Sequence, residues 1–189
     1  MNLKHLGDAF DHWKGSVIEL IGGKTLRVLP MFTDQKKWKP RQLSTYARLL
    51  HRKPGDILKQ KVTFSRKSRA GYFGNLGNED LFLDPDTGIL PDQNATKRHV
   101  KPSEIATLLE ESGSRMLLIY QHSSHEKDGF SEKLKLLRRS DGLDSCFMFA
   151  YDAGTVSMVI LSRSKNRVKK ASKRIRSWLG PVGPARIIQ

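Results

Sequence analysis

Apolar residues recur along the chain with spacings that alternate between those of helices and those of strands. Phe10, Trp13 and Val17 lie three or four positions apart, which predicts an amphipathic helix over residues 8–21 that ends at Gly22. Other segments have helical spacing or carry helix-capping residues. They predict helices over residues 42–52, from Ser103 to Gly113, from Ser131 onward, and over residues 164–179.

Segments rich in apolar residues between these helices predict strands over residues 26–33, 61–65, 80–83, 116–120, 146–151 and 156–161. The continuous apolar run over residues 116–120 is typical of a strand that is covered on both faces. Pro30 interrupts the first run and cannot donate a backbone hydrogen bond, so we expect a sheet edge or a bulge there. The last two runs are joined by a short connection that contains Gly154, which predicts a β-hairpin.

The order of these elements predicts an α/β fold. Strands that alternate with helices favour a single Rossmann-like (methyltransferase-like), mostly parallel sheet with helices on both faces and a C-terminal β-hairpin. We expect residues 1–162 to form this α/β domain and residues 163–189 to form a basic C-terminal helix and tail docked on it. The predicted seam between that helix and the domain consists of Val168, Ala171, Ile175 and Trp178.

Basic residues dominate the charge of the chain. It has 34 lysine and arginine residues against 19 aspartate and glutamate residues, a net charge of +15. Such an excess favours nucleic acid as a partner, ahead of an acidic membrane, and also suits a basic subunit of a larger protein complex. The residues that we expect to contact phosphate are Lys14, Arg167, Lys169, Lys170, Lys173 and Arg174.

Composition and motifs argue against several other classes of protein. No apolar run approaches the ~20 residues of a membrane helix, so no transmembrane segment is predicted. The N-terminal residues lack the apolar stretch of a signal peptide, and the single cysteine, Cys146, cannot form an internal disulfide. Together these features predict a cytoplasmic protein. The chain also lacks a Walker loop, a G-x-G-x-x-G motif and a G-x-S-x-G elbow.

Polar side chains follow three of the predicted strands. Thr33 and Asp34 follow the first, Asp84 and Asp86 come after the run that ends at residue 83, and His122 follows the run that ends at residue 120. Because ligands of open α/β sheets bind at the carboxyl ends of strands, we expect these residues to meet at one rim. Asp84, Asp86 and His122 are candidate catalytic residues. Asp34, Asp84 and Asp86 are candidate ligands for Mg²⁺, which prefers oxygen ligands. The stretch that begins at Asp84 also has the composition of a simple turn, and that alternative stays open.

Two features near the predicted rim have two interpretations each. Asp8, Asp11 and Lys14 are spaced so that they share part of one helix surface, which is either a solvated face or a part of the rim. Gln121 either hydrogen-bonds the edge of a base or closes a loop.

Four segments carry a resemblance to known proteins. They are Gly7–Ala9 with Asp11 and Lys14, Met31–Asp34, Phe82–Gly88, and Leu118–His122. These segments resemble a small bacterial family with a strand-ending Asp-Pro-Asp-x-Gly motif, which is distantly similar to the adenine-N6 methyltransferases of 23S ribosomal RNA. The resemblance implies a nucleic-acid substrate and S-adenosylmethionine as cofactor, bound near Thr33 and Asp34. It also implies that Asp84 orients a base amine.

The chain departs from those methyltransferases at two places. Its turn after the first strand contains no glycine, so the backbone cannot approach a cofactor as closely. Asp86, Thr87 and Gly88 stand where those enzymes have a second proline and the aromatic residue that stacks on a flipped adenine. We therefore expect a nucleic-acid-interacting, methyltransferase-like protein that is a degenerate or divergent base-modifying enzyme.

Two other functions stay open at this point. A Mg²⁺-dependent nuclease would use Asp34, Asp84 and Asp86 to hold the metal, with His122 as acid or base. A non-catalytic nucleic-acid-binding module of a larger complex would hold phosphate groups on the basic C-terminal helix and catalyse no reaction.

Overall fold

The computed structural model describes residues 3–23, 25–33, 38–60, 62–65, 67–122, 129–183 and 186–189. These residues contain six α-helices, none of which has the length and apolar character needed to cross a membrane. The helices are α1 (Ala9–Ile21), α2 (Pro40–Leu49), α3 (Arg69–Tyr72), α4 (Pro102–Glu111), α5 (Gly129–Arg138) and α6 (Lys165–Leu179).

The strands described belong to two sheets. The small sheet pairs β3 (Gly88–Ile89) with β4 (His99–Val100). The main sheet has six strands. They are β1 (Arg27–Leu29), β2 (Leu81–Leu83), β5 (Met116–His122), β6 (Phe147–Asp152), β7 (Val156–Ser162) and β8 (Ile187–Ile188).

The main sheet is mixed, with the order β1-β2-β5-β7-β6-β8. β1, β2 and β5 are parallel neighbours, whereas β7 lies between β5 and β6 and is antiparallel to both. β6 therefore runs in the same direction as the parallel strands, and β8 pairs antiparallel with its outer edge. The predicted α/β class is confirmed, with a central sheet in which most strands share one direction.

Helices cover both faces of this sheet. α1, α2 and α6 pack on one face, where Val17, Tyr46 and Ile175 are fully buried. α4 and α5 pack on the other face, where Leu108 and Leu137 are fully buried. Because β1, β2 and β5 are parallel, their carboxyl ends lie at the same edge of the sheet, and the site described below lies there.

The first strand is shorter than predicted. β1 ends at Leu29 because Pro30 has no N–H to donate and because Met31 has a left-handed φ of 47° that turns the chain.

The strand predicted over residues 61–65 is wrong for the described part of that stretch, residues 62–65. Phe64 donates its N–H to the carbonyl of Phe32 at 2.6 Å there, but no ladder forms.

Three helices begin earlier than predicted. α2 begins at Pro40 and α4 at Pro102, because proline suits the first turn of a helix, where its missing N–H is not needed. Ser103 is therefore inside α4, and Glu104 accepts a hydrogen bond from the N–H of Lys101 at 2.9 Å. α5 begins at Gly129, two positions before Ser131.

The seam of α6 differs from the prediction at one residue. Val168, Ala171 and Ile175 are buried against the sheet as predicted. Trp178, however, is 54% exposed, and its neighbour Leu179 packs against the core in its place.

Helices α1 and α2 approach each other closely at Gly15. A Cβ atom at this position would lie 2.0 Å from the carbonyl oxygen of Leu49, a backbone atom that cannot swing aside. Any side chain at residue 15 therefore forces the two helices apart, and with them Lys14 and Tyr46, which the helices carry.

We expect Gly15→Ala to lower the free energy of unfolding by at least about 2 kcal/mol because of this overlap. Alanine is the better helix former, so without the overlap the change would be stabilising. Gly71→Ala in α3, where a Cβ meets nothing within 4 Å, is the matched control. Urea denaturation followed by circular dichroism measures both variants. Equal stability of the two would contradict the close approach.

Candidate functional site

The site is built on the first turn of α1, whose geometry Asp8 fixes. The Asp8 Oδ1 atom accepts hydrogen bonds from the N–H groups of Phe10 and Asp11 at 3.0 and 3.1 Å, which makes it the N-cap. Asp11 Oδ2 in turn accepts the N–H of Gly7 at 2.9 Å. These bonds hold the Asp11 carboxylate, and one turn later Lys14, against the edge of the sheet.

The ammonium of Lys14 lies between two carboxylates. Lys14 Nζ is 3.1 Å from Asp11 Oδ1 and 3.0 and 3.3 Å from the two oxygens of Asp84, which directly follows β2. Tyr46 Oη on α2 donates a hydrogen bond to Asp84 Oδ2 at 2.6 Å. The ring of Tyr120 on β5 completes the shell, with its centroid 4.2 Å from Lys14 Nζ. We call Asp11, Lys14, Tyr46 and Asp84 the Lys14 cluster.

Burial sets the protonation states in the Lys14 cluster. Asp11, Lys14 and Asp84 are at most 4% exposed. Burial raises the pKa of Asp11, although the Lys14 ammonium opposes the shift. Burial alone would lower the pKa of Lys14, but the negative charges of Asp84 and Asp11 outweigh it and hold that pKa above its ordinary value. Burial, with the charge of Asp84, raises the pKa of Tyr46 well above its usual range. Lys14 is therefore a cation and Tyr46 a neutral donor at neutral pH.

A pocket of about 90 Å³, the inner pocket, opens beside Asp84 and Lys14. Its aromatic wall includes Phe10, Tyr120 and His122, and the His122 ring packs edge-on against the other two at centroid distances of 5.7 and 5.0 Å. His122 Nε2 lies 3.2 Å from Tyr120 Oη. Burial, reinforced by the charge of Lys14, lowers the pKa of His122. The imidazole is therefore neutral at pH 7 and keeps one nitrogen as a hydrogen-bond acceptor.

A wider cavity of about 510 Å³, the outer cavity, lies next to the inner pocket. His5, Asp86 and His122 line both spaces, which therefore share a wall. The cationic residues that line the outer cavity are Lys4, Lys97 and Arg98. The inner pocket thus opens toward a basic surface.

The structure brings most of the predicted rim residues together. Asp84, Asp86 and His122 all line the inner pocket. Thr33, at the end of the chain segment after β1, donates its hydroxyl to Asp86 Oδ2 and so lies at the same rim. Asp34, predicted to bind both cofactor and metal, lies outside the described residues.

The Asp84 carboxylate already has a cation of the chain beside it. Because Lys14 Nζ lies 3.0 Å from Asp84 Oδ1, the ammonium takes a position in which a metal ion would bind. Among the described residues, no group of three or more His, Cys, Asp and Glu side chains is arranged to hold a metal. In the structure the Asp84 carboxylate pairs with Lys14 and accepts a hydrogen bond from Tyr46, while the predicted metal ligand Asp34 lies outside the described residues.

Gln121 closes a loop. Its Oε1 accepts the N–H of Ile89 at 2.6 Å, and its Nε2 donates to the carbonyl of His122 at 2.6 Å. Gly88 has a φ of 130°, a left-handed conformation that favours glycine, and its lack of a Cβ leaves room for the amide of Gln121. Of the two interpretations of Gln121, the structure supports the loop contact.

Two of the residues predicted to contact phosphate are used within the fold. Lys14 is buried in its cluster. Arg167 forms an ion pair with Asp80 and donates to the carbonyl of Ser114. In the structure, both residues therefore contact groups of the fold instead of offering their charge to phosphate. The other four are exposed on α6: Lys169, Lys170, Lys173 and Arg174.

Several residues of the site were not predicted, among them Tyr46, Lys97 and Arg98. Tyr46 lies on the apolar face of its predicted helix and therefore looks like a core residue. Its hydroxyl is the feature that could have identified it, because a buried phenol needs a hydrogen-bond partner. Lys97 and Arg98 stand next to each other in a polar stretch between predicted elements. That adjacency is a charge signal, but nothing local in the sequence ties it to the rim.

Comparisons of the chain with protein-family models, with curated proteins and with solved structures found no match. The geometry of the site is therefore the basis for the function proposed below.

We expect Lys14→Met to lower the free energy of unfolding by about 3–5 kcal/mol, because it leaves the buried carboxylates of Asp11 and Asp84 without their counter-ion. Lys135→Met is the matched control. It removes an ammonium with the same i,i+3 relation to an acid, 2.8 Å from Glu132, but at an exposed position. Its effect should stay below about 0.5 kcal/mol. Urea denaturation compares the two, and similar losses would contradict the central role of Lys14.

We expect the stability contribution of His122 to disappear as the pH falls. The ordinary pKa of 6.5 applies to the unfolded chain, and the folded value lies below it. Between the two values the unfolded chain binds more protons than the folded one. The contribution is therefore complete above the unfolded pKa and is lost as the pH falls through the folded pKa. NMR titration of the imidazole gives that pKa directly.

The His122→Gln variant isolates this contribution. The difference in free energy of unfolding between the wild type and this variant should decrease from pH 7 toward pH 5, in the direction that the lowered pKa sets. A measured pKa of His122 above its ordinary value, or a difference that grows on acidification, would show that the imidazole is not held neutral by its surroundings.

Proposed function

We propose that this protein is a nucleic-acid-interacting, methyltransferase-like protein that holds the edge of one base in the inner pocket while the outer cavity contacts phosphate. It is a divergent or degenerate relative of base-modifying enzymes. The observation that carries the proposal is the shared wall at His122, which joins a pocket of carboxylate, imidazole and aromatic rings to a basic cavity.

The inner pocket has the groups that a nucleobase requires. Phe10 and Tyr120 offer aromatic surface, and Asp84 and His122 offer acceptors for the N–H groups on the edge of a base. Lys14 Nζ lies next to Asp84 and offers a donor at the same wall. An unpaired base that enters would meet donors and acceptors that have fixed positions before it binds, because the Lys14 cluster is held by ion pairs and hydrogen bonds.

The outer cavity has the groups that phosphate requires. Lys97 and Arg98 are exposed and adjacent in sequence, and Lys4 lines the same space. Cations that neutralise backbone phosphates supply most of the affinity of such interfaces and make it dependent on salt. The net charge of +15 adds long-range attraction for any polyanion.

The sheet supports the methyltransferase-like part of the proposal. Asp84 and Pro85 follow β2, which lies between two parallel strands, and the reversed strand β7 lies between β5 and β6. A Rossmann-like sheet that closes with an antiparallel strand has this arrangement of directions, with its binding crevice at the carboxyl ends of the parallel strands.

Described side chains on either side of the turn after β1 are engaged within the fold. Phe32 and Trp38 stack with their ring centroids 4.3 Å apart and are buried at 3% and 7% exposure. Thr33 is hydrogen-bonded to Asp86. We therefore base the proposed function on the binding of nucleic acid and base, and we derive no methyl-transfer step.

Fluorescence with single-stranded oligonucleotides that carry one 2-aminopurine tests the proposal. Anisotropy measures affinity, and the intensity of 2-aminopurine reports whether the base leaves its stack. We expect the double variant Lys97→Gln/Arg98→Gln to weaken binding about tenfold at low salt and to reduce the slope of log affinity against log salt by about 1–2. We expect His122→Ala to reduce the 2-aminopurine response while it leaves the salt slope unchanged.

Arg138→Gln/Arg139→Gln is the control for charge alone. It removes the same number of cations at the end of α5, which precedes β6 and so lies toward the opposite edge of the sheet. If this control weakens binding as much as the rim variant does, affinity comes from net charge and the outer cavity is not the contact surface. Binding without any 2-aminopurine response would show that the protein binds nucleic acid but does not hold a base in the inner pocket.

A further inference from the structure

A second groove, of about 780 Å³, lies between α6 and the outer edge of β6. Phe147, Met148 and Phe149 of β6 and Val168 of α6 give it an apolar floor. It lies at the amino end of β6, the edge of the sheet opposite to the inner pocket. The groove is therefore separate from the site on which the proposed function rests.

One wall of this groove is strongly basic. Lys165, Lys169, Lys173 and Arg176 line it from one side of α6, and none of the described residues that line it is acidic. No ion pair joins these four cations to any described residue. Lys165 Nζ lies 5.8 Å from the centroid of Phe147, whose side chain is 39% exposed. The wall therefore has an uncompensated positive charge beside exposed apolar surface.

The floor of the groove includes an open strand edge. β8 pairs with Ala150 and Tyr151 only, through Ile188 and Ile187. Within the described part of the chain, Phe147 and Met148 have a strand partner on one side, β7, and none on the other. Backbone N–H and C=O groups at such an edge can pair with an added strand.

We propose that this groove binds an extended, acidic segment of a partner protein, which adds to β6 as a strand in line with β8. Main-chain hydrogen bonds to the edge at Phe147 and Met148 would supply affinity. Phe149 packs in the same core cluster as Val168 of α6, whereas Met148 packs in the cluster on the other face of the sheet. Alternate side chains of the added strand therefore face α6, and these are the positions for acidic residues.

The open strand edge favours a peptide over a nucleic acid. A nucleic acid strand could use the cations and stack on Phe147, but it has no backbone N–H and C=O ladder to pair with β6. A peptide with alternating acidic and apolar residues places its acidic side chains against the basic wall while its backbone pairs with the strand edge.

A fluorescently labelled peptide of alternating valine and glutamate is the probe. We expect Lys169→Glu/Lys173→Glu to weaken its binding at least about tenfold, because both residues line the groove. Lys170→Glu/Arg174→Glu is the matched control. It makes the same change of charge with the same spacing on α6, at exposed residues that do not line the groove, and should weaken binding much less. All four residues are exposed, so both variants should fold, which circular dichroism checks.

Two further measurements separate strand addition from simple charge attraction. The same peptide with alternate N-methylated residues keeps its charge but loses the N–H groups on one edge, and it should bind at least about tenfold more weakly. Hydrogen exchange with the unmodified peptide should newly protect the amide at Phe147 or Met148 whose N–H faces away from β7.

Three results would overturn the proposal. The first is equal affinity for the N-methylated peptide. The second is that the peptide fails to bind while an oligothymidylate binds and depends on Lys169 and Lys173, which would make the groove a nucleic-acid site. The third is that neither probe binds. None of these results bears on the 2-aminopurine experiment at the inner pocket, so the two proposals fail independently.

Discussion

The buried ammonium of Lys14 is the interaction on which the carboxyl edge of the sheet depends. Its contacts at 3.0–3.3 Å to Asp11 and Asp84 join the first helix to the end of β2, and Tyr46 adds α2 through the same carboxylate. This cation offsets the cost of burying two carboxylates that are at most 1% exposed. Gly15, next in the chain, lets α1 and α2 approach closely enough for both Lys14 and Tyr46 to reach Asp84.

The Lys14 cluster beside the inner pocket and the mouth of the outer cavity differ in the sign of their charge. With both acids ionised, two carboxylates and one ammonium leave the Lys14 cluster with a net negative charge, while Lys97 and Arg98 make the mouth of the outer cavity positive. Phosphate is attracted to the mouth and repelled from the interior, whereas the N–H groups of a base are favoured in the interior. Under the proposed function, this arrangement of charge directs a nucleic acid to insert a base and to keep its backbone outside.

The sequence predicted those features of the fold and the site that depend on interactions between residues close together in the chain. The helix over residues 8–21 is capped by Asp8 and ends at Ile21, and Asp84 and His122 lie at the carboxyl ends of strands as the α/β pattern requires. The role of Lys14 could not be predicted in this way. Its spacing from Asp11 suits a solvated helix face equally well, and its deciding partner, Asp84, is 70 residues away. The prediction that Trp178 is buried was wrong for a related reason. Helical periodicity places Trp178 on the seam, but in the structure Leu179 packs against the core and Trp178 is exposed.

The number of basic residues in a chain overstates how many of them can bind a polyanion. Arg115 is fully buried and donates to the backbone carbonyls of Glu79 and Leu108, which stabilises the turn before β2. Arg167 pairs with Asp80 at that same edge, and Lys14 neutralises acids at the other. What decides between a structural and a binding role is whether a carboxylate or carbonyl of the fold lies within reach. Lys97 and Arg98 in the outer cavity and the cations that line the groove beside α6 differ from these three because their side chains are exposed to solvent, where an external ligand can reach them.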